Sequence, residues 1–154
     1  MGFKKEWETS LFEEHCLNLF PKLSSDFIGL ALQNDDGPDV SWRYAAGNQN
    51  EKYKRISVRY GKGIAGKVIS TGRPMTIMDF PHHITGRALE YPIMLAENLR
   101  YAFAVPIHIN EMPKGVFLIG NRTEKPVAEM DKDIIQKAAH MLEREFGSSN
   151  KKSV

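Results

Sequence analysis

The stretch Gly61-Lys-Gly63-Ile-Ala-Gly66 has the spacing that most suggests chemistry in this chain. The first amides of a helix have no acceptor within it and carry the positive end of its dipole. A short helix opening after Gly63 would therefore present the N–H groups of Ile64 and Ala65 to a small anion, and glycine lets another group come close to that backbone. The plainer alternative is a tight turn and nothing more, and the loop taken by itself favours it. The same letters also satisfy G-x-G-x-x-G, with Asp79 about where a ribose-binding acid would follow. That fingerprint belongs to the first strand of a parallel βαβ series. The strands expected on either side here lie in hairpins and no further βα units follow, so no nucleotide cofactor is expected.

Other reactive side chains give weaker signals. Cys16, the single cysteine, falls on the apolar stripe of an N-terminal helix, where a buried inert thiol is the expected reading. His82 and His83 adjoin on a segment read as extended, so they should point to opposite sides, and no partner stands at metal-ligand spacing. His15, His108 and His140 are scattered singly. Arg73 and Arg87 could clamp an anion in bidentate fashion, but the reading adopted is surface. No nucleophile, base and acid stand together, so catalysis is not expected.

The elements that must position these groups are legible as periodicity. Phe12, Cys16, Leu19, Phe20 and Leu23 predict a helix that Pro21 ends or bends. Ile134, Ile135, Ala138, Met141 and Leu142 predict a second, with Asp131 as its N-cap and Gly147 as its stop. Between them, strands are expected at Phe27 to Leu32, Ser41 to Ala46, Lys54 to Tyr60, Pro74 to Asp79, Tyr101 to Ile109 and Gly115 to Gly120. Tyr101 to Ile109 alternates bulky with small or polar residues, which suits a strand with two unlike faces. Asn34 to Pro38 and Asn110 to Pro113 read as turns, Ala65 to Ser70 as a short helix, and Ile84 to Leu99 as an irregular or helical segment. Hairpins at both ends of the sheet make this an α+β chain with a mainly antiparallel sheet.

Length and composition agree. A chain of 154 residues suits one domain, and 42% hydrophobic with 26% charged residues suits a packed core. Residues 1–146 are expected to form that domain and 147–154 a flexible polar tail. The 21 Lys and Arg residues nearly balance 19 Asp and Glu, and the two signs are interleaved, so no nucleic-acid partner is expected. No apolar run reaches membrane length. Neither a signal peptide nor a complete myristoylation motif follows Met1-Gly2, because Glu6 stands where the latter wants Ser or Thr. A soluble cytoplasmic protein is the expectation.

With these elements in place, the chain resembles a GAF domain. The resemblance lies in Gly61-Lys-Gly63-Ile-Ala-Gly66-Lys-Val-Ile-Ser-Thr-Gly72-Arg-Pro74 with Ile77 and Asp79, then Ala104-Val-Pro-Ile107, Gly115-Val-Phe-Leu-Ile-Gly120 and Met130-Asp131. It covers nearly the whole chain, from about Leu11 to Phe146. It implies a twisted antiparallel sheet with the terminal helices on one face and a ligand pocket on the other. Within the family, Trp42, Gly63-Ile-Ala-Gly66, Tyr91-Pro-Ile93, the size and the lack of an attached domain are similar to the stand-alone nitrate receptors. That likeness implies nitrate as ligand, no cofactor, and control of a sensor histidine kinase in a two-component system that regulates transcription for nitrate respiration. Ile64 and Ala65 would donate backbone N–H groups, Trp42, Tyr91 and Ile93 would form walls, and Pro92 would shape its segment. Terminal helices of this family often pair two subunits, so a homodimer is possible. The same fold also serves other ligands, such as cyclic nucleotides or organic acids, and reductases of free methionine sulfoxide. Those reductases use several cysteines near the pocket, and this chain has none there.

Overall fold

A computed structural model describes residues 6–152, with side chains described from 11 to 145. The Met1-Gly2 start and the last two residues of the expected tail lie outside the described residues. In chain order the elements are α1 (Glu6–Leu19), β1 (Phe27–Gln33), β2 (Val40–Ala46), β3 (Ser57–Val58), α2 (Gly63–Thr71), β4 (Met75–Ile77), α3 (Pro92–Ala96), β5 (Tyr101–Ile109), β6 (Met112–Asn121) and α4 (Glu129–Lys152). The six strands form one sheet in the order β3-β2-β1-β6-β5-β4, and all five pairings are antiparallel. The chain is α+β, as its hairpins predict.

Side chains alternate between the faces of each central strand, as a two-residue period requires. Ile28, Leu30 and Leu32 of β1, Phe103, Val105 and Ile107 of β5, and Phe117 and Ile119 of β6 point to one side. There they meet Phe12 and Cys16 of α1 and Ile135, Ala138, Ala139 and Leu142 of α4. The opposite side is lined by smaller groups: Ala31 of β1, and Ala102 and Ala104 of β5, with Val116 and Leu118 of β6. Gly29 belongs to this side too, and a β-carbon there would come within 3.1 Å of the Trp42 ring. Small residues in the middle of the sheet thus make room for larger ones laid across it.

Several expectations need correction. Residues 54–60 do not form one strand. Lys52–Arg55 is a short 3-10 helix that turns Tyr53 into the core at 6% exposure, leaving only Ser57 and Val58 to pair with β2. The last hairpin turns on Asn110 and Glu111, both at positive φ, so β6 already begins at Met112. Two consecutive positive φ values give the turn a twist that matches the strands. Asp131 is not an N-cap. It lies inside the first turn of α4 at 2% exposure, accepting from Ser25 Oγ at 2.7 Å and from Ser24 N and Oγ at 3.1 Å. One buried carboxylate therefore ties the start of α4 to the link between α1 and β1. Gly147 does not stop α4, which continues to Lys152. Met141 is 53% exposed rather than part of the stripe, and Ala139 takes a buried place instead. Pro21 does end α1, in a 3-10 turn over Phe20–Lys22. No helix among the described residues is long and apolar enough to cross a membrane.

Candidate functional site

The glycine loop is built for a close turn into α2. Gly61 and Gly63 hold φ of 83° and 63°, a left-handed region that costs other residues but not glycine. Gly66 serves a different end: a β-carbon there would collide with the Arg59 carbonyl oxygen. The loop folds back on the helix through Gly61 N donating to Gly66 O at 2.9 Å and Lys62 N donating to Arg59 O at 2.9 Å. Lys62 is the N-cap and makes no side-chain capping bond. Among the described residues, no acceptor outside the helix takes the N–H of Ile64 or Ala65. Both residues are buried, at 2% and 1% exposure. Two amide donors thus end in an apolar setting, where an unpaired N–H is costly.

The buried cluster that holds this helix start draws on distant parts of the chain. Trp42 on β2, Tyr91 and Ile93 on the segment before β5, and Ile64 and Ala65 on α2 share one buried cluster on the small-residue side of the sheet. Phe80, Met94 and Leu99 join it without having been singled out. Pro92 is half-buried at the first position of α3, where its missing N–H loses nothing, and it is not among the clustered residues. The segment 84–99 is partly helical: Ala88–Glu90 forms a 3-10 turn and Pro92–Ala96 forms α3. Its Tyr91 ring meets Phe80 edge-on at 5.9 Å between centroids. The Tyr91 hydroxyl donates to Thr85 O at 2.7 Å and accepts from Lys67 Nζ at 3.3 Å.

The remaining candidates fall elsewhere. Asp79 binds Arg100 Nη2 at 2.8 Å, and this bond holds its carboxyl below the usual range. His82 and His83 do not point apart. His82 lies in a turn that His83 closes by bridging to Met78, and the two bring Nδ1 to within 3.6 and 3.5 Å of Asp79 Oδ2. No group of three metal-binding side chains occurs among the described residues. His108 and His140 are not isolated either, since Glu143 reaches their Nδ1 atoms at 3.3 and 3.4 Å. Arg73 and Arg87 are exposed. Cys16 lies on the opposite side of the sheet from Trp42 and Tyr91, at 1% exposure, and burial, with help from Glu13, pushes its thiol up to about 12. A thiol reagent at neutral pH should leave Cys16 untouched in the native chain and label it only after unfolding, because the thiolate is the reacting form. Prompt labelling of folded protein would show that the α1 face is open.

No family model matches this sequence, and no curated protein is recognisably similar to it. Solved structures are. NreA from Staphylococcus aureus, in a form mutated at its nitrate binding site, is 31% identical with a TM-score of 0.73, over 80% of this chain and 91% of NreA. The chain belongs to the NreA family of GAF domains.

GAF-fold likeness extends to more distant structures. The GAF domain of a phosphoenolpyruvate-protein phosphotransferase from Coxiella burnetii is 20% identical with a TM-score of 0.74, over 94% of this chain and 84% of that one. Free methionine-R-sulfoxide reductase from Neisseria meningitidis, solved with its substrate, is 17% identical with a TM-score of 0.75, over 95% and 81%. At these identities the likeness is one of fold alone.

Proposed function

We propose that the chain is a nitrate receptor without enzymatic activity, which holds the anion between the start of α2 and the walls of Trp42, Tyr91 and Ile93. The observation that carries this reading is the pair of uncapped amides, Ile64 and Ala65, buried inside an apolar cluster. Nitrate is flat, singly charged and weakly basic, so neutral backbone donors in an apolar cage suit it better than a lysine-rich cleft. The 31% identity to NreA, whose nitrate binding site is named as such, supports the same ligand. At a ceiling of about −1.5 kcal/mol per heavy atom, four atoms reach roughly −6 kcal/mol. That is a dissociation constant on the order of tens of micromolar.

The receptor acts, on this proposal, in the cytoplasm on an NreB-like sensor histidine kinase of a two-component system that regulates transcription for nitrate respiration. It needs no cofactor, nucleic acid or membrane, and it pairs as a homodimer through its terminal helices. Segment 84–99 is the mobile part, and nitrate biases it by binding one arrangement more tightly than the other. Cys16 lies across the sheet from the cluster, which favours a sensor over a sulfoxide reductase.

Isothermal titration should give saturable one-site binding of nitrate. Trp42→Phe should weaken it severalfold while the protein stays folded, because Phe fills less of the wall. Absence of heat at millimolar nitrate would overturn the nitrate reading in favour of another GAF ligand, such as a cyclic nucleotide or an organic acid. Unchanged affinity in Trp42→Phe would remove Trp42 from the site.

A further inference from the structure

We infer that Lys67 is a positioning and specificity residue of this site: it fastens segment 84–99 to α2 through the Tyr91 hydroxyl and gives the aromatic wall the positive sign an anion requires. The second half of this statement rests on the anion-binding reading above, and the first half does not.

A single proton fixes the direction of both bonds at the Tyr91 hydroxyl. A phenol has a single O–H to give, and Tyr91 gives it to Thr85 O at 2.7 Å. Lys67, which only donates, must then be the donor to the same oxygen, at 3.3 Å. No proton is left on that hydroxyl for an anion, so Tyr91 meets such a guest with its ring. The face of an aromatic ring is electronegative, which by itself repels an anion. Lys67 Nζ stands 5.3 Å from the centre of that ring, off its hydroxyl edge. The ammonium thus adds a whole positive charge at the edge of that ring, on the same helix that carries the two amide donors. Among the described residues, no carboxylate lies within ion-pair distance of Lys67, so its charge is not spent on an acid.

The mechanical role follows from where the partners sit. Thr85 and Tyr91 both belong to segment 84–99, so their bond holds that segment to itself. Lys67 belongs to α2, and its bond is the polar tie between the two elements at this point. It is half-buried, so its stem packs while its head reaches the ring.

Three variants separate the parts. Lys67→Met keeps an unbranched stem and removes the charge and the donor. Lys67→Arg keeps both, and Tyr91→Phe keeps the ring and the charge but loses the tie. Hydrogen exchange without nitrate should show faster exchange across 84–99 in Lys67→Met and Tyr91→Phe, and wild-type rates in Lys67→Arg. Titration with sodium nitrate should show about tenfold weaker binding in Lys67→Met, as expected for losing a positive charge near the anion, a smaller loss in Tyr91→Phe, and recovery in Lys67→Arg. Wild-type exchange in Lys67→Met would overturn the tie. Wild-type nitrate affinity in Lys67→Met would overturn the electrostatic role. If the unaltered protein binds no nitrate, the receptor reading fails while the exchange comparison still decides the tie.

Discussion

Glu97→Ala should lower the free energy of unfolding by about 3–5 kcal/mol, the usual result of removing one member of a buried ion pair. Glu97 ends α3 at 0% exposure. Its Oε1 accepts from Arg122 Nη2 at 2.6 Å and from Gln49 N at 2.9 Å, and its carbonyl accepts from Arg122 Nε at 2.8 Å. Arg122 also donates to Gly47 O at 2.9 Å, and its own amide to Asp26 Oδ2 at 2.9 Å. Four stretches of chain therefore meet at one carboxylate and one guanidinium. Without Glu97, the guanidinium is left in a site only 18% exposed, and Gln49 N loses its acceptor. Urea unfolding should report the loss, with a thermal midpoint lower by roughly 10 °C. Glu97→Gln should lose less, because an amide oxygen still accepts from both donors. The second carboxylate oxygen, Oε2, has no partner. That makes the intact pair worth less than its breakage costs, so a paired Glu97→Leu, Arg122→Met chain should recover part of the stability. A loss below about 1 kcal/mol in Glu97→Ala would show that the pair behaves like a solvated one.

Gly66→Ala is expected to have the second large effect, and to strike binding harder than folding. The added methyl would meet the Arg59 carbonyl oxygen, with Gly61 N 3.2 Å away. Both neighbours are backbone atoms and cannot swing aside as a side chain would. Relief requires the loop to lift from α2, breaking the bond from Gly61 N to Gly66 O. Strain of this kind costs on the order of 1–3 kcal/mol. The same displacement moves Ile64 and Ala65, the two proposed donors, and a shift of about 1 Å at positioned groups costs on the order of a hundredfold. Circular dichroism should therefore show a folded chain, and titration should show nitrate affinity reduced by about that factor. A Gly66→Ala chain that binds nitrate as well as the parent would mean that the loop plays no part in presenting those amides.

Much of this architecture can be read from the residues, and the rest fails for physical reasons. The two faces of the sheet are visible in Tyr101 to Ile109, because bulky and small residues alternate there as they do in the structure. Lys54 to Tyr60 misleads because burial of Tyr53 outweighs the strand propensity of its neighbours. Asp131 looks like a cap because its type suits one, but its actual partners, Ser24 and Ser25, lie more than a hundred residues away. His82 and His83 both reach Asp79 because His82 lies in a turn, which unlike a strand imposes no alternation. At the candidate site, Ile64 and Ala65 follow from helix physics, whereas Trp42, Tyr91 and Ile93 stood out only by resemblance. An indole or a phenol in an apolar context reads equally well as plain core. Lys67 gave no sign at all. A lysine in a helix reads as solvent-facing, and the hydroxyl it meets is 24 positions further on.

The knot at Glu97 also decides how the neighbouring stretch can travel. Asn50 Nδ2 donates to Ala96 O at 3.1 Å and Asn98 Nδ2 to Gln49 Oε1 at 2.8 Å, so the downstream end is pinned on both sides of that glutamate. Any outward swing must pivot there. Leu89, 78% exposed near the middle of the stretch, lies well away from that pivot and would trace a wide arc. A dye or spin label on a cysteine placed there would register such a swing as a change in signal.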